Sequence, residues 1–436
     1  MTSQFFEYWI RDLGLSFRFF RIHPIDQSSV SEKMMAALMI ADAQEFRTLI
    51  SNQQAETVWV WLSMVMESGS ARTTLSRLIE FNLFESLPAP HRAQLMRIVT
   101  REAADRNVSD EMFVEILKIL AKFKSDIVWI KGSSLARTLY RGDNFRSTGD
   151  FDIVVRPGMF QPVVEELRNA GFVAMTGPGS CNQVGVGPTK TSEDLSLSPN
   201  AELIASSAVA MSFKDWPFID IKLGPFDSGI QMRELDRFFD DAFVSTIEDC
   251  EYLCPSLVDH LMISLHNFAK DRFVNWKNLF DIHLLAAALQ EIPTEWKRFI
   301  ACCKTEHIES IAWAGLTLAK DRFKSIIPDA VFDELAPKRT LANSFLMFTV
   351  SPYFVWNATS LPMMVLNAVT SSNRTEKMKV LQSSFFPSKQ FLSAYYGAGK
   401  PTGWFSAIML HVAHWSVLIL PGGLVRRTFG KIFWPG

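Results

Sequence analysis

From Asp126 to Pro225 the chain departs from helical spacing and becomes a series of short, β-branched apolar runs bounded by Gly and Pro. DIVWIK, starting at Asp126, reads as a buried strand closed by Gly132, and Ser133 to Tyr140 reads as a helix opened by a Ser cap. A second strand, Asp150 to Val155, sits between Gly149 and the Pro157–Gly158 pair. Phe160 to Ala170 then forms an amphipathic helix with Pro162 in its first turn. Further strands are expected at Phe172 to Met175, Ala208 to Phe213 and Phe218 to Leu223, with the Gly-, Pro-, Ser- and Thr-rich stretch 177–200 as a long loop.

The flanks read differently. From Val30 to Lys124 apolar residues recur at helical spacing, as in Met34, Ala37, Leu38 and Ile40, and after Pro225 the helical pattern returns and persists to the C-terminus. The expected fold is therefore α+β: a small mixed sheet with helices between two helical domains, divided as 1–124, 125–230 and 231–436. A hydrophobic fraction of 48% supports such cores and excludes disorder and low-complexity classes. With 44 Lys plus Arg against 46 Asp plus Glu, the chain lacks the basic excess of a duplex nucleic-acid binder. Five scattered Cys without paired spacing point to a reducing, cytoplasmic setting. The N-terminal segment, interrupted by Glu7, Arg11 and Asp12, is expected to stay on the mature protein.

Two stretches without Asp, Glu, Lys or Arg, Thr340 to Asn373 and Thr402 to Val425, raise the membrane question. Pro352, Asn357 and Pro362 in the first, and His411 and His414 in the second, favour buried core helices. The final RRTFGKIFWPG mixes basic and aromatic residues as an interfacial segment does, so a tail packed on the protein and a peripheral membrane contact through the C-terminal third both stay open. The oligomeric state is not legible.

The chemistry concentrates in residues 130–157. Asp150 and Asp152, two apart on a strand, project from one face, while Phe151, Ile153 and Val155 point to the other. Adjacent carboxylates repel, and a hard cation such as Mg²⁺, which also takes phosphate oxygens, relieves that repulsion. Gly132 and Ser133 stand where a strand turns into a helix, a place where backbone N–H groups face an anion such as a triphosphate. Asp220, in FIDIK, supplies a third carboxylate on a further strand, as metal ligand or general base. Three such ligands can hold two metal ions around an in-line displacement.

This block, Gly132–Ser133 followed by Asp150-Phe151-Asp152, resembles the polymerase-beta-type nucleotidyltransferase superfamily. Sixteen residues separate Ser133 from Asp150, and that longer gap is similar to the bacterial uncharacterised nucleotidyltransferase family. The family pattern falls here on Lys131, Gly132, Leu135, Tyr140, Arg146, Asp150, Asp152, Val155, Arg156 and Pro157. It continues through Asp220, His260, His266, Trp276 and Asp281, and residues 381–397 resemble its C-terminal helical feature, whereas Lys222 stands where His is common. The resemblance implies transfer of a nucleotidyl group from an NTP such as ATP, with two Mg²⁺ ions and release of pyrophosphate, to an unidentified hydroxyl acceptor, in the setting of exopolysaccharide or natural-product biosynthesis. Asp150, Asp152 and Asp220 become the metal and catalytic residues.

Lys131, Gly132, Ser133, Arg137 and Arg146 are the candidate nucleotide-binding residues. Structural counterparts are a structural ion pair with the aspartates for Lys131 and Arg146, the latter orienting Asp150, and a helix cap for Ser133. His260 and His266, six apart, lie on different helix faces and read as core histidines. The competing reading of the whole chain is a catalytically silent nucleotide-binding scaffold in a polysaccharide assembly complex. An antitoxin-type nucleotidyltransferase is disfavoured by the large helical flanks.

Overall fold

A computed structural model describes residues 33–38, 42–51, 57–59, 61, 62, 65, 70–140, 146, 150–174, 208–212, 218–226, 232–271, 273 and 275–336. The N-terminal segment, the loop 177–200, Cys181, both uncharged apolar stretches, residues 381–397 and the basic-aromatic tail lie outside the described residues.

Before the sheet come α1 (Ala43–Ser51), α2 (Ala71–Glu80) and the long α3 (Ala89–Ile119), which carries Pro90 in its first turn, where no intrahelical donor is needed. Then follow β1 (Ile127–Ile130), α4 (Lys131–Thr138), β2 (Asp150–Val155), α5 (Phe160–Asn169), β3 (Val173–Ala174), β4 (Ala208–Ser212) and β5 (Phe218–Lys222). These match the expected elements to within a residue or two, apart from Met175 and Phe213, which lie outside the described residues.

The expected return to helix after Pro225 is delayed. A short α6 (Leu235–Asp240) is followed by a hairpin of β6 (Phe243–Ile247) and β7 (Cys250–Cys254). Its β-branched content, Val244, Thr246 and Ile247, is the strand signal, and Glu248, at φ 49°, makes the left-handed turn. Only then come α7 (Leu257–Lys270), α8 (Trp276–Gln290), α9 (Pro293–Glu306), α10 (Glu309–Phe323) and α11 (Asp329–Leu335). Ser256 caps α7 by accepting from the Asp259 amide, and Asn275 caps α8 by accepting from Lys277 and Asn278. Both α9 and α10 end on left-handed residues, His307 at φ 57° and Lys324 at φ 52°.

The strands form one mixed sheet in the order β3-β4-β5-β2-β1-β7-β6. β2 runs parallel to β5 and antiparallel to β1, while β1 runs parallel to β7. Alternation divides the side chains between two cores. On one face Trp129, Phe151, Ile153 and Ile221 meet Phe113 and Ile116 of α3 and Val163 and Leu167 of α5, with the Phe113 and Trp129 rings edge to face at 4.5 Å. On the other, Val128, Ile130 and Val154 join a core that continues through α4 and the helices after β7. Among the described residues no helix is long and apolar enough to cross a membrane.

Candidate active site at the heads of two parallel strands

The parallel register of β2 and β5 sets the site. Asp152 lies opposite Asp220, and Asp150 lies opposite Phe218. Because alternate residues share a face, Asp150, Asp152, Phe218 and Asp220 all project to the same side of the sheet, opposite the Phe151–Ile153 core. One carboxylate oxygen from each aspartate lies within 4.8 Å of the others. Asp150 is exposed at the strand head, whereas Asp152 and Asp220 are buried.

Two lysines enter this cluster. Lys131 follows β1 directly, at φ 54°, a left-handed conformation that a side chain with a Cβ adopts only where its surroundings enforce it. Its Nζ donates to Asp152 Oδ1 at 2.9 Å. Lys222, two residues beyond Asp220 on β5, donates to the same oxygen at 2.6 Å and stands 4.0 Å from Asp220 Oδ2. The residues of the cluster therefore carry −3 + 2 = −1.

That imbalance moves the acids. The Asp152 charge, then burial, raises the Asp150 carboxyl above its usual range, with Lys131, Lys222 and Lys277 opposing. Burial, then Asp152, pushes Asp220 up to about 6, against Lys222 and Lys131. Three close carboxylates with excess negative charge form a donor set that fits a divalent cation of the hard, oxygen-seeking kind.

The remaining candidates distribute around this centre. Gly132 and Ser133 are buried in the first turn of α4, which starts at Lys131 with Ile130 at the cap position. Ser133 is therefore not the expected cap, and its hydroxyl donates to the Ile130 carbonyl at 2.8 Å, tying the helix start to β1. Arg137 turns to the other core: it pairs with Asp110, donates to the Ser133 carbonyl and stacks over the Phe113 ring at 4.0 Å. Arg146, expected either to orient Asp150 or to meet phosphate, instead makes its ion pair with Asp281. Its Nε donates to both Asp281 oxygens, at 2.8 and 2.9 Å, and Tyr140 Oη donates to Oδ1 at 2.6 Å. The closer carboxylate wins because Asp281 is fully buried and needs a buried cation, while Asp150 faces solvent. His260 Nε2 lies 3.1 Å from the Ser134 hydroxyl, and burial, with the Arg146 charge, lowers its pKa to about 3. His266 packs against Phe226 instead, so the two histidines serve separate neighbourhoods. Trp276 packs edge to face on Phe323.

Two cations were not read as site residues from the sequence. Lys222 carried a usable signal, since its spacing from Asp220 on a strand places both on one face. Lys277, at the start of α8, interacts electrostatically with Asp150, Asp281 and Asp271, and burial lowers its pKa. Nothing in the local pattern of α8 marks it.

Compared with known protein families, the chain matches the one described as "Uncharacterised nucleotidyltransferase" over residues 61–324. That span takes in every residue of the carboxylate cluster and its lysines. No curated protein and no solved structure matches the chain.

Proposed function

Since the chain belongs to the uncharacterised nucleotidyltransferase family, we propose that it moves a nucleoside monophosphate from an NTP to a hydroxyl acceptor at the heads of β2 and β5, in the manner of polymerase-beta-type enzymes. The carrying observation is the register that sets Asp152 opposite Asp220 with Asp150 at the rim. Mg²⁺ held by these three carboxylates would neutralise phosphate charge and lower the pKa of the attacking hydroxyl.

The chain's own groups divide the remaining work. The start of α4, at Gly132 and Ser133, offers backbone N–H groups to the triphosphate, and Lys131 beside them contributes positive charge. Asp220, a buried carboxylate on β5, accepts the hydroxyl proton. The acceptor oxygen bonds to the α-phosphorus, the bond from that phosphorus to the bridging α–β oxygen breaks, and pyrophosphate leaves. Arg146 and Asp281 support this surface from beneath as a closed pair. Membership of a biosynthetic pathway for polysaccharides or natural products is consistent with a hydroxyl acceptor, and the near-neutral charge of the chain supports an acceptor other than duplex nucleic acid.

Calorimetry with each NTP tests this, with and without Mg²⁺, on the wild type and on the Asp150→Asn, Asp152→Asn double variant. The expected result is Mg²⁺-dependent binding of at least one NTP that disappears in the double variant. Binding that is indifferent to Mg²⁺ or to the substitutions would overturn the reading in favour of a nucleotide-binding scaffold.

A further inference from the structure

Two cations that share carboxylates sit about 3.5–4 Å apart, a span that a carboxylate bridges most readily with one oxygen on each. Asp152 is built otherwise. Its Oδ1 already accepts from both Lys131 Nζ, at 2.9 Å, and Lys222 Nζ, at 2.6 Å. With Oδ1 committed to two ammonium groups, Asp152 is poorly placed to give one oxygen to each of two ions.

Lys222 also stands between the acids that would share such an ion. Its Nζ touches Asp152 and stands 4.0 Å from Asp220 Oδ2, between acids on neighbouring strands. Its side chain is only 1% exposed, so the ammonium is held by its partners and not by water. The register places Lys222 beside Val154, on the carboxylate face, with its stem buried.

Charge leads to the same conclusion. Three carboxylates and two divalent ions sum to −3 + 4 = +1. Three carboxylates, two ammonium groups and one divalent ion also sum to −3 + 2 + 2 = +1. Two lysines thus contribute what one of the ions would, without needing to be bound from solution.

We propose that Lys222, with Lys131, takes the place of one of the two metal ions expected from the sequence, and that the site holds a single divalent cation among Asp150, Asp152 and Asp220. The proposal rests on the nucleotidyltransferase reading of that site and replaces its two-ion form. Lys222 acts here as a positioning residue, since it meets the acids and not the reacting atoms.

Mn²⁺ serves as the probe, followed by electron paramagnetic resonance on the full chain. The titration is run with Mn²⁺ alone and again with a saturating NTP analogue that has a methylene bridge between the α- and β-phosphates. The wild type should bind one Mn²⁺ per chain, and its spectrum should lack spin–spin coupling in both conditions. Lys222→Met, which keeps the stem and removes the ammonium, should admit a second ion and show the coupled signal of a close pair. Lys222→Arg should remain at one ion. A coupled pair in the wild type would overturn the proposal and leave the transferase reading intact, even if Lys222→Met fails to fold. A Lys222→Met protein that folds and stays at one ion would also overturn it. No Mn²⁺ bound under any condition would remove the metal site itself, and with it both readings.

Discussion

Two neighbouring groups of buried charges handle the same physical problem in opposite ways. Around α8, Arg146, Asp281 and Tyr140 form a closed hydrogen-bonded set: one guanidinium, one carboxylate and a hydroxyl donor meet through several bonds, and Lys277 acts on Asp281 electrostatically. At the strand heads, three carboxylates meet two ammonium groups and one negative charge is left over. Burial alone therefore does not mark a functional site. What distinguishes the second set is incomplete compensation, visible in the raised Asp150 and Asp220 and in the exposure of Asp150 to whatever arrives from solvent.

The sharpest way to break this contrast is to open the closed set. Asp281→Ala leaves the Arg146 guanidinium buried without its partner and should destabilise the protein by about 3–5 kcal/mol, measured as a fall in the denaturant midpoint at unchanged slope. Loss below about 1 kcal/mol would mean that the pair is dispensable and the contrast false. In the open set the same type of change has the reverse balance. Asp220→Asn removes a like charge beside Asp152, so stability should hold or rise slightly, while Mn²⁺ affinity falls at least tenfold, about 1.4 kcal/mol. Thermal melts and metal titrations on one preparation separate the two effects.

A pH test, with a smaller effect per pH unit, reaches His260, on which the Arg146 charge of the closed set acts. Folded His260 titrates near 3, against an ordinary value of 6.5 in the unfolded chain. Below 6.5 the unfolded state binds a proton that the folded state refuses, so stability falls as pH drops from 6.5 towards 3, by at most about 1.4 kcal/mol per unit from this group. Burial, then the Arg146 charge, sets this behaviour, and the Ser134 hydroxyl is the hydrogen-bond partner of Nε2. His260→Gln should flatten that part of the stability–pH curve, and an unchanged slope would place the titration elsewhere. The smallest expected change concerns Phe218, which is 44% exposed on the carboxylate face opposite Asp150. If the open set receives a nucleoside, Phe218→Ala should raise KM by about fivefold through lost stacking, near 1 kcal/mol, without altering Tm.

How far the sequence alone reached follows from the range of each interaction. Asp150, Asp152 and Asp220 were legible because a strand has a period of two, and each short run announced its own strand. Arg146 was visible as a charge, yet its partner Asp281 lies 135 positions away on α8, and no local pattern reports such a pairing. Arg137 shows the same limit: its stacking on Phe113 depends on where α3 crosses the sheet. The β6–β7 hairpin was missed although its residues favour strands, because long helical flanks dominated the reading around it.

The placement of Lys222 has a consequence for the order in which the molecule is assembled. β2 and β5 are joined side by side although some seventy residues of chain separate Asp152 from Asp220, and such distant pairings are slow to form. Until β5 docks, Asp150 and Asp152 face each other with Lys131 as their nearby counterion. The strand that then adds the third acid carries an ammonium two residues further on, so the docking step brings no net charge. A segment with Asp220 and no Lys222 would approach an already negative edge, and its pairing with β2 would be opposed by that charge. The lysine thus makes the acid admissible to the sheet before any ligand is bound.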